Sequence, residues 1–385
     1  MLGDWAFSKF LIESAEEKDL RGRTNSPTHV RALQSTQNSM AANFTLTAVL
    51  PPLPTYTLHA APPLLPFVSD KVLGLASVPL VYLALSIFWE AIDASGIWSR
   101  YQIHPTAEVL SRNRVDKWEC IRGVVAYHVV SLAAAIALSW SDDGITWTGS
   151  QDYDVAVWAT RLRLLQKHIP TVLGLIGLDS VGFAGESTSD IAGVLRGGVY
   201  PAIAKSASGG IVSEFSSWEL SLASLLYWVV VPAFQFFLCF FIADTWFYWG
   251  HRTFHTNKYL YKNFHSIHHK LYVIYAFGAV YAHPVEGIAV DFIAFTLGIV
   301  LSGLSPRQAM FFNFVATWKA MSDHCGYVLP WDPFIYLTEN TSQYHDNNFG
   351  IYFTFWDRLM GTSKSVVSLK PKDKVEGKVS ENKEE

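Results

Sequence analysis

The chain has 385 residues, half of them hydrophobic, 15% aromatic and only 16% charged, with a formal net charge of -4. That balance excludes an ordinary water-soluble protein and points to a membrane protein. The small net charge and the lack of a continuous basic patch exclude a nucleic-acid binder.

Residues 1–39 mix polar and charged side chains without an apolar core before a small-residue cleavage site, so they read as a disordered extension rather than a secretory signal. After Met40, Pro51, Pro52, Pro54, Pro62, Pro63 and Pro66 forbid one regular helix and place this stretch along a surface or the membrane interface. The run KVLGLASVPLVYLALSIFWEAI, from Lys71 to Ile92, is long enough to cross a bilayer, and a second candidate covers about 121–140. Arg100, Arg112, Arg114 and Lys117 lie between them and put that loop in the cytosol, which leaves 141–217 on the lumenal side. Within it, 158–183 reads either as an interfacial helix or as a packed one.

The strongest span runs from Leu220 to Tyr248 and exceeds the roughly 20 residues needed to cross. Pro232 is expected to kink it, and Trp246, Phe247, Tyr248 and Trp249 have the composition of an interface belt. Arg252, Lys258, Lys262 and Lys270 mark its exit as cytosolic. Two further apolar stretches, about 286–303 and 308–320, are separated by Gly303 and Pro306 and read as a hairpin that dips into the bilayer and returns. After Thr362 the Lys/Glu-rich tail is expected to be disordered. Cys120, Cys239 and Cys325 are odd in number, far apart and without zinc spacing, so they read as packing residues.

The expected fold is therefore all-α, a polytopic membrane helical bundle with a cytosolic histidine-rich metal-binding cap. Its expected segments are the extension 1–39, an N-terminal membrane region 40–217 with two spans and a lumenal segment, a catalytic domain 218–362 and the charged tail 363–385.

Eight of the 13 histidines lie between His251 and His345. His251 and His255, four apart in HRTFH, share one face of a helix continuing from the strongest span. His265, His268 and His269 in HSIHH use offsets of three and four, with the same result. Imidazole suits iron, zinc or copper, and two such helices can grip one or two ions. His324 follows the hairpin in MSDHCGY, where Asp323 offers a structural pairing instead, and His345 stands in QYHDNNFG. Asp323 and Asp346 are further candidates for the metal or its surroundings. His283, in YAHPVEG, reads either as a ligand or as part of a turn. His29, His59, His104, His128 and His168 are scattered and read as non-ligands.

An all-histidine site argues against structural zinc, which uses cysteine, and Arg252 and Thr253 stand where an HExxH protease needs its glutamate and its neighbour. Iron is favoured because oxygen activation for attack on an unactivated C–H bond lies beyond side chains. No Rossmann or haem-attachment motif supplies electrons, so a partner must.

HRTFH, HSIHHKLYVIYAFGAVYAHPVEG, DHCGYVLPWDPF and FTFWDRLMGT, with LPPLPTYTL and YQIHPTAEVLSRNRV upstream, resemble the fatty acid hydroxylase superfamily of membrane histidine-box oxygenases. The paired boxes carry the superfamily. The longer strings favour the fungal sphinganine (sphingoid-base) 4-hydroxylases over sterol desaturases and sterol methyl oxidases, the runner-up reading. The resemblance implies a di-iron monooxygenase of the endoplasmic reticulum membrane, with its active site facing the cytosol. It implies molecular oxygen as co-substrate, a sphingoid base taken from the bilayer and electrons from a cytochrome b5 type donor. It puts metal ligands at His251, His255, His265, His268, His269, His324 and His345, with no catalytic residue separate from them. Relatives continue from His-Asp to a further His-His pair, whereas here His345 and Asp346 run directly into NNFGIYFTFWD. The last box is therefore expected to be shortened and activity impaired, a third reading being an inactive lipid-binding membrane homologue.

Overall fold

The computed structural model describes residues 46–47, 50–103, 112–201, 204–205, 211–337 and 348–363. The extension 1–39, His104, His345 with Asp346, and the tail after Ser363 lie outside the described residues. Helices dominate, and the β structure among the described residues consists of two-residue antiparallel ladders: Leu46–Thr47 with Tyr200–Pro201, His59–Ala60 with Trp147–Thr148, and Ala204–Lys205 with Ile211–Val212.

Helix α1 spans Asp70–Ser95; the Ser69 hydroxyl accepts the Val72 N–H at 3.3 Å to start it, and Gly96, at φ 64°, ends it in the left-handed region. Asp116 caps α2, Lys117–Leu138, by taking the Glu119 N–H at 2.7 Å. After them come α3, Gln151–Gln166, the short helices Ile169–Leu175, Ser180–Ala184 and Asp190–Leu195, and α4, Ser217–Leu225, which opens on a capping box between Ser216 and Glu219. A π-helical turn, Leu226–Val230, leads into α5, Val231–Thr256. Then follow α6, Ile293–Ser302, α7, Pro306–His324, and the short α8, Phe355–Leu359. A capping box of Ser305 and Gln308, with Pro306 in the first helical position, starts α7.

Among the described residues, four helical runs are long and apolar enough to cross a membrane: Asp70–Ser95, Lys117–Leu138, Ser217–Thr256 and Pro284–Ser302. The first three are the expected spans. Pro232 sits just past the π turn, in which the Val231 N–H reaches back five residues to the Leu226 carbonyl. The stretch 158–183 divides. Ala159, Arg163 and Gln166 of α3 are buried, whereas Val172, Leu175 and Ile176 beyond it are exposed.

The chain forms two compact units, one from the residues up to Ala61 with Trp147–Gln235, the other from Pro62–Thr146 with Phe236 onward. In the first, Arg163 of α3 and Glu219 of α4 are both buried and form a two-pronged ion pair. Gln166 donates to Glu219 at 2.8 Å, the Tyr200 hydroxyl donates to Gln166 at 2.8 Å, and the Glu214 carbonyl accepts from Arg163 at 3.1 Å. Desolvated charges are tolerated only when matched in this way; stranding one partner of such a pair costs about 3–5 kcal/mol.

In the second unit α7 lies along α1 and runs in the same direction. Arg307 donates to Asp70 at 2.9 Å near the start of both helices, while Tyr327, just past the end of α7, hydrogen-bonds Asp93 and stacks on Trp89 with ring centroids 5.5 Å apart. Nineteen residues of helix cover about 28 Å, so α7 follows α1 through its whole depth. The expected hairpin that dips into the bilayer and returns falls on Pro284–Ser302, one of the four runs long and apolar enough to cross, and on α7, which is not among them. Lys319 of α7 is tolerated there through its buried pairing with Asp323 one turn on. Small residues bring α5 and α6 together: Cys239, Ala243 and Ala294 are buried, and a Cβ on Gly298 would stand 2.8 Å from the Cys239 carbonyl. All three cysteines are buried and free, as packing residues should be.

Candidate metal centre

HRTFH lies on the last turns of α5, and regular helix geometry stacks its two imidazoles: the Nε2 atoms of His251 and His255 are 3.2 Å apart. HSIHH is less regular. Tyr261–His265 forms a π-helical turn that delivers His265 into the interior, and the short helix Ser266–His268 follows, with His269 at its end. The Nε2 of His265 stands 2.8 Å from that of His255 and 3.0 Å from that of His269. The Nε2 atoms of four imidazoles from two helical segments therefore form a row, and the ligand atoms of His251, His255 and His265 all lie within 4.8 Å of one another, a candidate ion-binding group.

Hydrogen bonding alone accounts poorly for this chain of contacts. A neutral imidazole nitrogen is either a donor or an acceptor, yet the Nε2 atoms of His255 and His265 each face two others. Cations held between neighbouring members would match the spacing: with metal–nitrogen bonds of about 2.1 Å, two nitrogens on one ion sit about 3 Å apart.

The opposite ring nitrogens support the same conclusion. His265 Nδ1 lies 2.6 Å from Glu286 Oε1, His268 Nδ1 3.0 Å from the Tyr281 carbonyl, His324 Nδ1 2.8 Å from the Ala320 carbonyl, and His251 Nδ1 3.4 Å from the Phe349 carbonyl. An acceptor at Nδ1 keeps the proton there and leaves the lone pair on Nε2. Burial pushes the His265 imidazole down to about 4 and lowers that of His268, so both are neutral at physiological pH, the form that ligates. The donor set fits a borderline divalent metal such as iron.

The remaining sequence-picked residues fall in different places. His268 stacks beside His265, ring centroids 5.7 Å apart. His324 ends α7. His283 caps the short helix Pro284–Glu286, its Nδ1 accepting the Val285 N–H at 3.2 Å, which is the turn role. Asp323 is held by Lys319. His345 and Asp346 lie outside the described residues. Of the histidines read as non-ligands, His128 is inside α2 with its ring against Tyr82 and Tyr127.

Sequence reasoning missed the carboxylates. Glu286 was legible only as part of the YAHPVEG turn. Asp244, a lone carboxylate inside the strongest apolar span, is the kind of intramembrane charge that signals a role. Its Oδ1 accepts the N–H groups of Ile351, Tyr352 and Phe353 at 2.8, 2.7 and 3.3 Å. Asp357 accepts those of Phe349 and Gly350 at 3.0 and 3.1 Å, and the Thr362 hydroxyl at 2.7 Å. Tyr248, expected in an interface belt, is instead fully buried and hydrogen-bonds Thr362 at 3.1 Å. Together these bonds clamp residues 349–362 onto α5. Phe349 consequently packs over the first box, its ring 5.5 Å from that of His251 and 5.2 Å from that of His255.

A family model described as fatty acid hydroxylase matches residues 236–362. The chain is 32% identical to a sphingolipid C4-hydroxylase of Saccharomyces cerevisiae over 320 residues, covering 80% of this chain and 76% of that protein. It is 31% identical to a sphingolipid C4-hydroxylase of Schizosaccharomyces pombe, covering 78% and 91%. It is 30% identical to sphinganine C4-monooxygenase 1 of Arabidopsis thaliana, covering 77% and 88%. No solved structure matches it.

Proposed function

Since the chain belongs to the fatty acid hydroxylase family, we propose that it is an oxygen-dependent membrane monooxygenase that places a hydroxyl on carbon 4 of a dihydrosphingoid base. The close grouping of the His251, His255 and His265 ligand atoms beside the end of an apolar span, with His269 Nε2 3.0 Å from His265 Nε2, carries this reading. Relatives named for the C4 reaction are similar over three quarters or more of their length, which favours a sphingoid base over a sterol.

The catalytic domain is 218–362, and the cofactor is a pair of iron ions. His251, His255, His265 and His269 would hold iron; His268, His324 and His345 would complete the ligand set. Bound iron supplies the activation of oxygen that side chains cannot perform. Dioxygen, two electrons and two protons convert the C4–H bond into C–OH and water, and the electrons come from a cytochrome b5 type donor. The protein's own contribution is to hold a proton on the far ring nitrogen of His251, His265, His268 and His324 and to pack Phe349 over the first box. The boxes face the cytosol in the endoplasmic reticulum membrane, with the lipid entering from the bilayer.

Because the family's His-His pair after Asp346 is replaced here by NNFGIYFTFWD, the chain as it stands holds less than its full iron complement and does not restore 4-hydroxylated sphingoid bases to a null strain. A version with the family's segment reinserted after Asp346 does. Sphingoid-base profiles of the two strains, at matched membrane levels, test both statements. Product from neither version sinks the C4-hydroxylase reading; product from the unmodified chain sinks the claim of impairment.

A further inference from the structure

The imidazole cluster brings ligand atoms but no charge, so a divalent ion placed there needs an anion nearby. Glu286 stands in that position. It is buried, its Oε1 is 2.6 Å from Nδ1 of the fully buried His265, and its buried Oε2 has no hydrogen-bond partner among the described residues. The segment that carries it is fixed: Pro284 and the His283 cap start the turn, and a Cβ on the next residue, Gly287, would run into the Tyr127 ring of α2. A carboxylate buried against a neutral imidazole, with one oxygen unmatched among the described residues, is expensive to hold in its charged form. It becomes balanced when the far nitrogen of that imidazole bears a cation.

We infer that Glu286 is a positioning residue for the metal centre: it fixes the His265 tautomer and supplies the negative charge that compensates the ion held at Nε2. The inference rests on the reading of the cluster as a metal site. It does not depend on the last histidine box, since His251, His255 and His265 are all present in this chain.

The test uses the purified full chain in detergent and Co(II) alone as the probe, with binding followed through the ligand-field absorption of the loaded protein. Glu286→Gln keeps the side-chain shape and an acceptor oxygen but removes the charge, and Glu286→Ala removes both. Each is expected to weaken Co(II) binding by about 10–100-fold and to shift the absorption bands, in line with the usual effect of losing a carboxylate behind a metal-bound imidazole. His265→Ala removes the ligand itself and should lose more. Glu286 variants that bind within about twofold of the parent, with unchanged bands, while His265→Ala loses the ion, would overturn the role of Glu286 alone. Lower thermal stability of the metal-free variants with unchanged bands would likewise reduce Glu286 to a structural part. Co(II) retained by His265→Ala would overturn the metal reading, and this inference with it.

Discussion

An imidazole can offer one nitrogen to a metal only when the other has somewhere to keep its proton. Here a carboxylate and three backbone carbonyls perform that service for His265, His268, His324 and His251. His255 occupies the middle of the Nε2 row, within 3.2 Å of His251 and 2.8 Å of His265. Substituting His255→Ala should therefore strip bound iron from the purified chain while leaving its amount in the membrane unchanged, because the cluster lies at the end of the span rather than inside it. His128→Ala, in the middle of α2, should keep the iron of the parent. Metal analysis of the two variants beside the parent checks this, and equal iron in the parent and His255→Ala would remove the assignment. That these residue types gather in two boxes was legible from their spacing. That His283 caps a turn and Asp323 answers a lysine was not, because either role satisfies the same local pattern.

Helices here do more than cross. The end of α5 carries the first box, and its interior carries Asp244, whose one oxygen gathers three successive backbone N–H groups of the segment following the last box. Asp244→Ala would leave those donors without their acceptor, at a cost of about 1–3 kcal/mol for each that stays buried. The expected result is release of residues 349–362 from α5, read as new protease cleavage near Phe353 in detergent-solubilised protein. Unchanged cleavage would mean that Asp357 and the aromatic packing suffice by themselves. The π turn at Tyr261–His265 acts similarly at short range: it alters the regular helical phase, so that His265 is the member of HSIHH that meets both His255 and His269. Periodicity assumes a uniform helix, and no residue pattern in YKNFH announces that departure.

Across the whole molecule, basic residues at the end of α5 and between α1 and α2 lead to the prediction that both face the cytosol. The depth of α7 makes that arrangement consistent. If Pro284–Ser302 crosses, α7 must return to bring His324 back to the face of the boxes, and its pairing with α1 from Asp70–Arg307 to Asp93–Tyr327 supplies the length. A C-terminal tag should then be digested by protease in sealed microsomes, and the Asn43-Phe44-Thr45 sequon, on the opposite side, should accept glycan. Protection of the tag would reverse the arrangement. What the amino-acid order determined by itself was the membrane class, the three strongest spans, the two adjacent boxes and the family likeness. Each of these rests on local composition or on a short fixed spacing, which the chain carries whatever its fold. Only tertiary structure decided that α7 runs the full depth of α1, that Glu286 stands behind His265, and that Asp244 fastens residues 349–362 against the first box. Those pairings join residues from 21 to more than 200 positions apart, and a partner at such separation is selected by packing geometry, which no window of sequence contains.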